Sequence, residues 1–455
     1  MTNSSEASGR VPETAPPAGM SSGLRIGNWA AVVLVLLGSG LAWTFGQSGP
    51  ARPTENGWAA QASSDDTDQI MSMLNLHARA LLARDSTAWA DGLDSSPGAG
   101  DYPSLQRGVF DNLARVPLTT WRYTLVGPVT SSDLLAAAAE RLGGRTVILH
   151  IQLGYALAAV DPQPTGKDEW LTAVRRGGGW KLASDSDVAA SGGQSWHGPW
   201  DFGPLQVRRG PHTLVLAHPA HAAEMSVFGE LVERSVPVVS RVWGQNWNSQ
   251  VAVLIPDTDA EFAAVTADSG DTRDLAAVSV ADQVLPDGTV LGARIVLNPS
   301  TLTKLDSAGR RLVVQHELTH IAARGVTSDQ MPIWVIEGFA DYVGNLGSAR
   351  SASQIAAELA AEARGGHLPA ALPTSADFDG SNARLPQVYE EAWLACRLIA
   401  DRVGSQGLVR FYKTVSVAAR TDPASAAAVG LRTVLKLDVN IFTRLWKDEL
   451  RRELA

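Results

Sequence analysis

The sequence is poor in cysteine, with Cys396 alone among 455 residues. A single cysteine cannot form a disulfide within the chain, so a disulfide-stapled fold is excluded. Cys396 shares an apolar helical stripe with Ala392 and Ile399. This position predicts a small residue of the hydrophobic core.

Clusters of basic residues are also absent. The chain has 38 Lys and Arg against 47 Asp and Glu, which gives a formal net charge of −9. No run of basic side chains is available to follow a phosphate backbone, so we expect no nucleic-acid partner. The composition, 45% hydrophobic and 19% charged, is typical of folded globular domains.

One long stretch lacks charge altogether. Residues 26–45 contain no Asp, Glu, Lys or Arg and are long enough to cross a bilayer as a helix. Arg25 precedes this stretch and only Arg52 follows it closely, which favours an N-terminus inside the cell. We therefore predict a single-pass cell-membrane protein with the bulk of the chain, including its folded domains, extracytoplasmic. The alternative is a cleaved signal peptide with Gly40 and Ala42 at the cleavage site, which would make the protein secreted.

The rest of the chain divides by composition. Residues 1–25, rich in Ser, Gly and Pro and without aromatics, are expected to form a disordered cytoplasmic tail, and residues 46–67 a flexible linker. The remaining length favours two domains. We place an α+β accessory domain at 68–190, a linker rich in Gly, Pro and Trp at 191–204, and a second domain at 205–455.

The accessory domain shows one amphipathic helix followed by strand-like segments. Helical spacing extends over residues 68–84, and a Gly-Gly-Gly turn at 177–179 precedes a last strand. The pattern predicts a helix packed on a curved antiparallel sheet, and it resembles the ketosteroid isomerase-like cone fold of extracytoplasmic accessory domains. His77 and His150 lie in or beside the apolar pattern, so we expect packed histidines and no catalytic site.

The second domain contains the motif H-E-L-T-H at residues 316–320. We predict a helix over residues 308–324, with Ser307 as its N-cap and Gly325 at its C-terminal end. The four-residue spacing places His316 and His320 on one face, where both imidazoles can bind zinc. Glu317 lies about 100° around the helix, within reach of a zinc-activated water. It is our candidate general base.

A catalytic zinc needs a third protein ligand. The segment W-V-I-E-G-F-A-D-Y follows at residues 334–342, within a predicted helix over 332–343. Glu337 is the candidate third ligand. Asp341, one turn later, is placed to hydrogen-bond the free ring nitrogen of a ligand histidine. The alternative is a solvated helix face that carries these residues by chance. It gives no reason for both segments to occur in one chain.

Together the two segments resemble the gluzincin metallopeptidases of the peptidase MA-like group. The resemblance extends over residues 205–455 and implies a thermolysin-like α+β catalytic domain with a helical C-terminal subdomain. It also implies zinc as cofactor, bound by His316, His320 and Glu337, with Glu317 as base and a peptide or protein as substrate. These four positions match the family motif residue by residue.

The resemblance carries two further expectations. The family usually has an edge strand antiparallel to the bound peptide, and the alternating segment 293–298 precedes the zinc helix. Ile295 and Leu297 are therefore candidate substrate-binding residues. Related zinc aminopeptidases have a tyrosine that stabilises the oxyanion, and Tyr389 is the candidate here. The alternative for Tyr389 is a ring packed beneath the cleft.

One departure from the family concerns specificity. The sequence has no G-x-M-E-N string of the kind that binds the substrate amine in zinc aminopeptidases, so we expect an endopeptidase. Two other functions stay open: a non-catalytic zinc-containing cell-surface binding or assembly module, and a zinc hydrolase of a non-peptide cell-wall amide. His218 and His221 are three residues apart, but too few further ligands accompany them for a second metal site.

Overall fold

This computed structural model describes residues 62–266 and 275–454. The predicted tail at 1–25, the predicted transmembrane helix at 26–45 and the linker up to residue 61 lie outside the described residues. Among the helices of the described part, none is both long and apolar enough to cross a membrane.

The accessory domain is a set of helices packed on one antiparallel sheet. Its sheet has the strand order β1-β2-β3-β4, and every neighbouring pair is antiparallel. The first helix begins inside the range 46–67 predicted as a linker. The elements are α1 (Ser64–Leu82), α2 (Ser86–Asp91), α3 (Tyr102–Asn112), β1 (Leu118–Pro128), α4 (Ser132–Leu142), β2 (Thr146–Leu157), β3 (Thr165–Arg176) and β4 (Gly179–Ser184).

The two histidines of this domain both stack on tryptophan rings. His77 of α1 is buried and stacks on Trp89 with ring centroids 3.5 Å apart. His150 of β2 stacks on Trp170 of β3, and its Nε2 lies 3.0 Å from Asp168 Oδ1. Both therefore pack against aromatic neighbours, as the apolar pattern predicts.

A five-stranded mixed sheet begins the second domain. Its strand order is β5-β6-β7-β11-β8, with the three central strands parallel and both outer strands antiparallel. The strands β9 and β10 form a separate hairpin. The elements are β5 (Gln206–Arg209), β6 (Thr213–Ala217), α5 (Ala222–Trp243), β7 (Val251–Ile255), α6 (Asp259–Thr266), β8 (Ala277–Val280), β9 (Gln283–Val284), β10 (Val290–Leu291) and β11 (Arg294–Leu297).

The sheet order corrects the predicted substrate-pairing edge. Ile295 and Leu297 belong to β11, which pairs with β7 on one side and β8 on the other. Their side chains are 0% and 1% exposed. All four residues of β11 are buried, which is typical of a strand covered on both faces. The prediction that 293–298 forms the edge is therefore wrong, and among the described strands the edge on this side is β8.

Helices form the remainder of the chain, as predicted for the C-terminal part. The long helix α12 is kinked at Gly404, whose φ of 74° and ψ of 165° are non-helical and accessible mainly to glycine. The helices are α7 (Pro299–Leu302), α8 (Ser307–Ala323), α9 (Ile333–Gly344), α10 (Ala352–Ile355), α11 (Ala357–Arg364), α12 (Leu385–Ala419), α13 (Ala426–Gly430) and α14 (Val439–Leu454).

The accessory domain is attached to the mixed sheet by buried polar contacts. Arg294 of β11 donates two hydrogen bonds of 2.7 Å to the carboxylate of Asp161, and both side chains are almost fully buried. Asp282, two residues after β8, accepts hydrogen bonds from Thr165 and Lys167 of β3. These contacts join the accessory domain to β11, the strand next to the edge, and to the residues that follow the edge strand β8.

The ion pair between Arg294 and Asp161 predicts a large stability effect. Asp161→Ala leaves the Arg294 guanidinium buried without its counter-charge, so we expect unfolding free energy to fall by about 3–5 kcal/mol. Asp91→Asn is the control, because Asp91 is 84% exposed in its pair with Lys181 and should cost at most about 1 kcal/mol. Denaturant unfolding of both variants measures the difference, and equal stabilities would contradict the assigned role of the buried pair.

Candidate metal centre

The helix α8 holds the H-E-L-T-H motif in a fully buried segment. Its N-cap is Asp306, whose Oδ1 accepts a 2.7 Å hydrogen bond from the backbone N–H of Gly309. The predicted N-cap, Ser307, is instead the first helical residue, and the C-cap is Arg324 in place of Gly325. An ionised aspartate suits the N-cap because it also interacts favourably with the helix dipole.

The second helix of the site, α9, starts directly after Pro332 and packs against α8. Proline stands at its N-cap, where a missing backbone N–H is not needed. Glu337 and Asp341 are four residues apart and therefore lie on one face. Both face the histidines of α8, since each contacts His316.

Three side chains converge at one point between these helices. His316, His320 and Glu337 are all buried, and one ligand atom from each lies within 4.8 Å of the others. The two histidine Nε2 atoms are 2.9 Å apart. Glu337 Oε2 lies 3.5 Å from the Nε2 of His316 and 3.6 Å from that of His320.

This arrangement fits a zinc ion. Tetrahedral zinc with bonds of about 2.0–2.1 Å separates its ligand atoms by about 3.3 Å, close to the three distances observed. The Glu337 carboxylate oxygens are buried and have no hydrogen-bond partner among the described residues. A buried carboxylate without a donor is costly unless a cation binds it. The donor set therefore has the residue types, spacing and unsatisfied charge that a zinc site requires.

Asp341 orients one of the histidines. Its Oδ1 lies 2.8 Å from His316 Nδ1, and because a carboxylate can only accept, Nδ1 carries the proton. The other ring nitrogen, Nε2, is then free to bind a metal. The structure thus places Asp341 at the position assigned to it from the sequence.

The pKa values of these groups reflect their burial and mutual attraction. Burial opposes the charge on His316, but Asp341 and Glu337 outweigh it and raise its pKa to about 10. For Glu337, burial is outweighed by His320 and His316, and its pKa is lowered. Burial raises the pKa of Asp341 against the opposing effect of His316. The pKa shifts of His316 and Glu337 therefore have the same cause, the attraction between the buried imidazoles and carboxylates.

Glu317 lies beside this cluster without belonging to it. Its side chain is 0% exposed, and neither carboxylate oxygen has a hydrogen-bond partner within normal geometry in the described part. Burial raises its pKa, while His316, His320 and the nearby hydroxyl of Ser279 lower it. A buried, unpaired carboxylate next to a metal-ligand set is suited to accept and release a proton.

Among the described strands, the edge strand β8 of the mixed sheet lies alongside α8. The strand β8 packs against α8, and its residue Ser279 is the strand residue near Glu317. After β8, the β9–β10 hairpin turns at Gly288, which contacts the backbone of Gly325 just beyond α8. The sequence analysis did not identify Ser279, although the alternation of Val278, Ser279 and Val280 is typical of a strand.

Tyr389, His218 and His221 each have defined neighbours. Tyr389 is 7% exposed near the start of α12, and its ring packs edge-on against Phe378 at 5.1 Å. Its role in oxyanion stabilisation stays a prediction. His218 contacts Glu261 at 3.0 Å and His221 contacts Asp257 at 3.1 Å, so each histidine has its own carboxylate.

The contact between Asp341 and His316 predicts an effect on metal affinity. Asp341→Asn removes the charge that holds the His316 ring, so we expect zinc affinity to fall about 10- to 100-fold. Competition with a chromophoric chelator measures this change. Asp329→Asn is the control, because Asp329 is 69% exposed and its ion pair among the described residues is with Arg324. An unchanged affinity in Asp341→Asn would refute the orienting role.

No protein-family profile matches this chain, and no curated protein matches it in sequence. Among solved structures, it is similar to an M1 zinc metallopeptidase from Deinococcus radiodurans, with 16% identity and a TM-score of 0.34 over 60% of this chain and 57% of that chain. A mutant of that enzyme is 15% identical, with a TM-score of 0.36 over 60% of this chain and 58% of that chain. The same mutant bound to a Tyr-Ser-Ala substrate is 14% identical, with a TM-score of 0.30 over 60% of this chain and 58% of that chain. This chain therefore spans less than two thirds of the length of these structures.

Proposed function

We propose that this protein is a zinc metallopeptidase in which His316, His320 and Glu337 hold the zinc and Glu317 is the general base. The observation that carries the proposal is the convergence of three buried ligand atoms beside an unpaired buried carboxylate. Structural and catalytic zinc sites differ in their protein ligands: structural sites use four, whereas catalytic sites use three and leave a position open. In the ranges 62–266 and 275–454, the only such group contains three.

The contacts of the side chains support a distinct role for each of them. When bound, zinc would act as a Lewis acid that polarises a carbonyl and lowers the pKa of water. Glu317 accepts the proton of the attacking water and returns it to the leaving amine. Asp341 holds the His316 ring in the tautomer that leaves Nε2 free. Tyr389 is proposed as an oxyanion donor.

The free edge of β8 supports a peptide as substrate. The strand has a hydrogen-bonded neighbour, β11, on one side, and no described strand pairs with its other side. An extended peptide can add to such an edge through backbone hydrogen bonds. Because Ser279 of β8 lies near Glu317, a peptide paired there would pass the proposed base. We therefore transfer the substrate-pairing role from Ile295 and Leu297 to β8.

Two finer parts of the proposal rest on sequence alone. The absence of a G-x-M-E-N string supports an endopeptidase, because no dedicated site for a free substrate amine is evident. The uncharged stretch 26–45 supports a membrane anchor that places the catalytic domain outside the cell.

Zinc content and peptide cleavage by the full-length protein test the proposal. We expect one zinc per chain and internal cleavage of a mixed peptide library, with both lost on treatment with a zinc chelator. Absence of zinc would overturn the metal site. Stoichiometric zinc without peptide cleavage would overturn the peptidase and favour the non-catalytic module, or the cell-wall amidase if peptidoglycan fragments are hydrolysed.

A further inference from the structure

A buried histidine joins the linker between the two domains to the mixed sheet. His218 directly follows β6 and is 5% exposed. Its Nδ1 lies 3.0 Å from the carbonyl oxygen of Pro204, the last residue of the predicted linker. Its Nε2 lies 3.0 Å from both carboxylate oxygens of Glu261, a residue of α6 that is 1% exposed. One ring therefore connects three segments: the linker, the end of β6 and α6.

Both groups that face the ring are hydrogen-bond acceptors. A peptide carbonyl oxygen can only accept, and the same holds for a carboxylate. The Glu261 carboxylate also accepts a 2.8 Å hydrogen bond from the backbone N–H of Asp257. A neutral imidazole has one N–H group and one lone pair, so it could donate to only one of its two neighbours. The imidazolium ion has two N–H groups and can donate to both, which makes His218 and Glu261 a buried ion pair.

The charged groups around the ring favour this cation. Burial opposes it, but Glu261, the neighbouring backbone carbonyl and Asp257 outweigh burial and raise the pKa of His218. The other titratable side chain of this segment is His221, whose Nε2 lies 3.1 Å from Asp257 Oδ1. The charges that act on His218 from α6 and from the segment before it are therefore negative.

The other elements next to the ring contribute no charged side chain. The linker passes His218 as Phe-Gly-Pro-Leu at residues 202–205. On the strands that flank β6, Gln206 of β5 and Ile255 of β7 pair with Ala217, the residue before the histidine. The state of the ring therefore depends on its two carboxylate neighbours and its burial.

We propose that His218 and Glu261 form a proton-dependent latch that fastens the interdomain linker to the mixed sheet. While the ring is protonated, it binds the Pro204 carbonyl and the Glu261 carboxylate together. When it loses a proton to solvent, its remaining N–H donates to the charged carboxylate, the stronger acceptor. A nitrogen lone pair then faces the Pro204 oxygen, so the end of the linker is released as the pH rises. The latch does not depend on the proposed zinc chemistry.

The raised pKa of His218 fixes the direction of the pH effect. In the unfolded chain the ring has the ordinary histidine pKa of about 6.5. Below that pH both states hold the proton, and the latch contributes its full stability. Above it the folded protein alone holds the proton, so this stability is lost as the pH rises through the folded pKa. One proton corresponds to about a tenfold change in the unfolding equilibrium constant per pH unit.

Glu261→Gln should keep the contacts of the latch and remove their pH dependence. The glutamine oxygen can accept from the Asp257 N–H, and its amide can donate to Nε2 of a neutral His218. The ring then still donates from Nδ1 to the linker carbonyl. Asp257→Asn is the matched control, because it removes a carboxylate that is 49% exposed and contacts His221. It leaves both contacts of the His218 ring in place.

Nitrogen NMR of the full-length protein, labelled at its histidine rings, measures the first part of the proposal. Neutral and protonated imidazoles differ in nitrogen chemical shift, and the signal lost in His218→Gln and displaced in Glu261→Gln belongs to His218. We expect its titration midpoint above pH 6.5 in the unmodified protein and in Asp257→Asn, and at lower pH in Glu261→Gln. A midpoint at or below 6.5, or one that Glu261→Gln does not lower, would overturn the ion pair.

Denaturant unfolding over a pH series measures the linkage to stability. Between pH 6.5 and the midpoint, the unfolding constant of the unmodified protein should rise about tenfold per pH unit relative to that of Glu261→Gln. Other titrating groups contribute to both proteins and cancel in this ratio. Asp257→Asn should behave as the unmodified protein does. A ratio that stays constant with pH would overturn the latch.

Hydrogen exchange tests release of the linker itself. Above the midpoint, backbone amides of residues 202–206 should exchange faster in the unmodified protein than in Glu261→Gln, after correction for the intrinsic effect of pH. Below the midpoint the two proteins should exchange alike. Equal exchange on both sides of the midpoint would show that the pair does not hold the linker, and would refute the latch.

Discussion

Glu317→Gln is expected to bind zinc with unchanged stoichiometry and to lower turnover by about two to four orders of magnitude, the usual contribution of a general base. Glutamine has nearly the same shape as glutamate but cannot take up a proton. Neither Glu317 oxygen has a hydrogen bond of normal geometry among the described residues, so the substitution affects at most the interaction with the nearby Ser279 hydroxyl. The loss should therefore appear in kcat and leave the fold intact.

The measurement compares zinc content by atomic spectroscopy with initial rates of peptide cleavage. Glu449→Gln provides the control, because Glu449 is also a buried glutamate, 5% exposed, and pairs with Arg452 in α14. It should retain its turnover. If Glu317→Gln kept full activity, Glu317 would not be the base. If it lost zinc, Glu317 would be a ligand or a structural residue instead.

The proposed metal ligands could be predicted from the sequence because most of their geometry depends on spacing within a single helix. A four-residue spacing on a helix places His316 and His320 on one face whatever the rest of the fold does. The same reasoning places Asp341 with Glu337 on α9. Only the meeting of the two helices is non-local, and the structure brings them together with ligand atoms within 4.8 Å.

Which strand forms the edge of the sheet could not be predicted in the same way. Strand order depends on pairings between distant segments, and several orders satisfy one sequence pattern. Ile295 and Leu297 have strand character, and the structure does make them a strand. That strand lies inside the sheet because β8, earlier in the chain, pairs with its outer side. The residue near Glu317 is consequently Ser279, which carries no motif.

The accessory domain shows a similar limit. The sequence indicated a helix on an antiparallel sheet, and alternation along β3 places Glu169 and Asp168 on opposite faces. Which face of β3 points inward depends on how α1 and α3 cover the sheet. Glu169, Asp185 and Asp201 line one cavity of this domain because of that packing, and residue spacing does not reveal it.

Close helix packing holds Glu337, the proposed third metal ligand, in place. Gly338 follows Glu337 on α9, at the contact with α12. A Cβ atom at Gly338 would lie 2.3 Å from the carbonyl oxygen of Ala392 and 3.0 Å from Cys396 Sγ. Real Cβ atoms do not approach backbone so closely, so α9 and α12 would have to separate. Because Glu337 is the neighbouring residue, its carboxylate would move with the helix.

Gly338→Ala is therefore expected to lower unfolding free energy by about 1–3 kcal/mol, the cost of overpacking, and to weaken zinc binding. Gly108→Ala is the matched control, since Gly108 also lies within a helix but has no neighbouring atom within 4 Å of the position that a Cβ atom would occupy. There alanine should stabilise by about 0.5–1 kcal/mol through helix propensity. Chemical denaturation and chelator competition measure both effects. If the two substitutions change the unfolding free energy in opposite directions, contact with α12, and not helix propensity, determines the residue at 338. A Gly338→Ala variant that is stabilised and still binds zinc would refute the close packing.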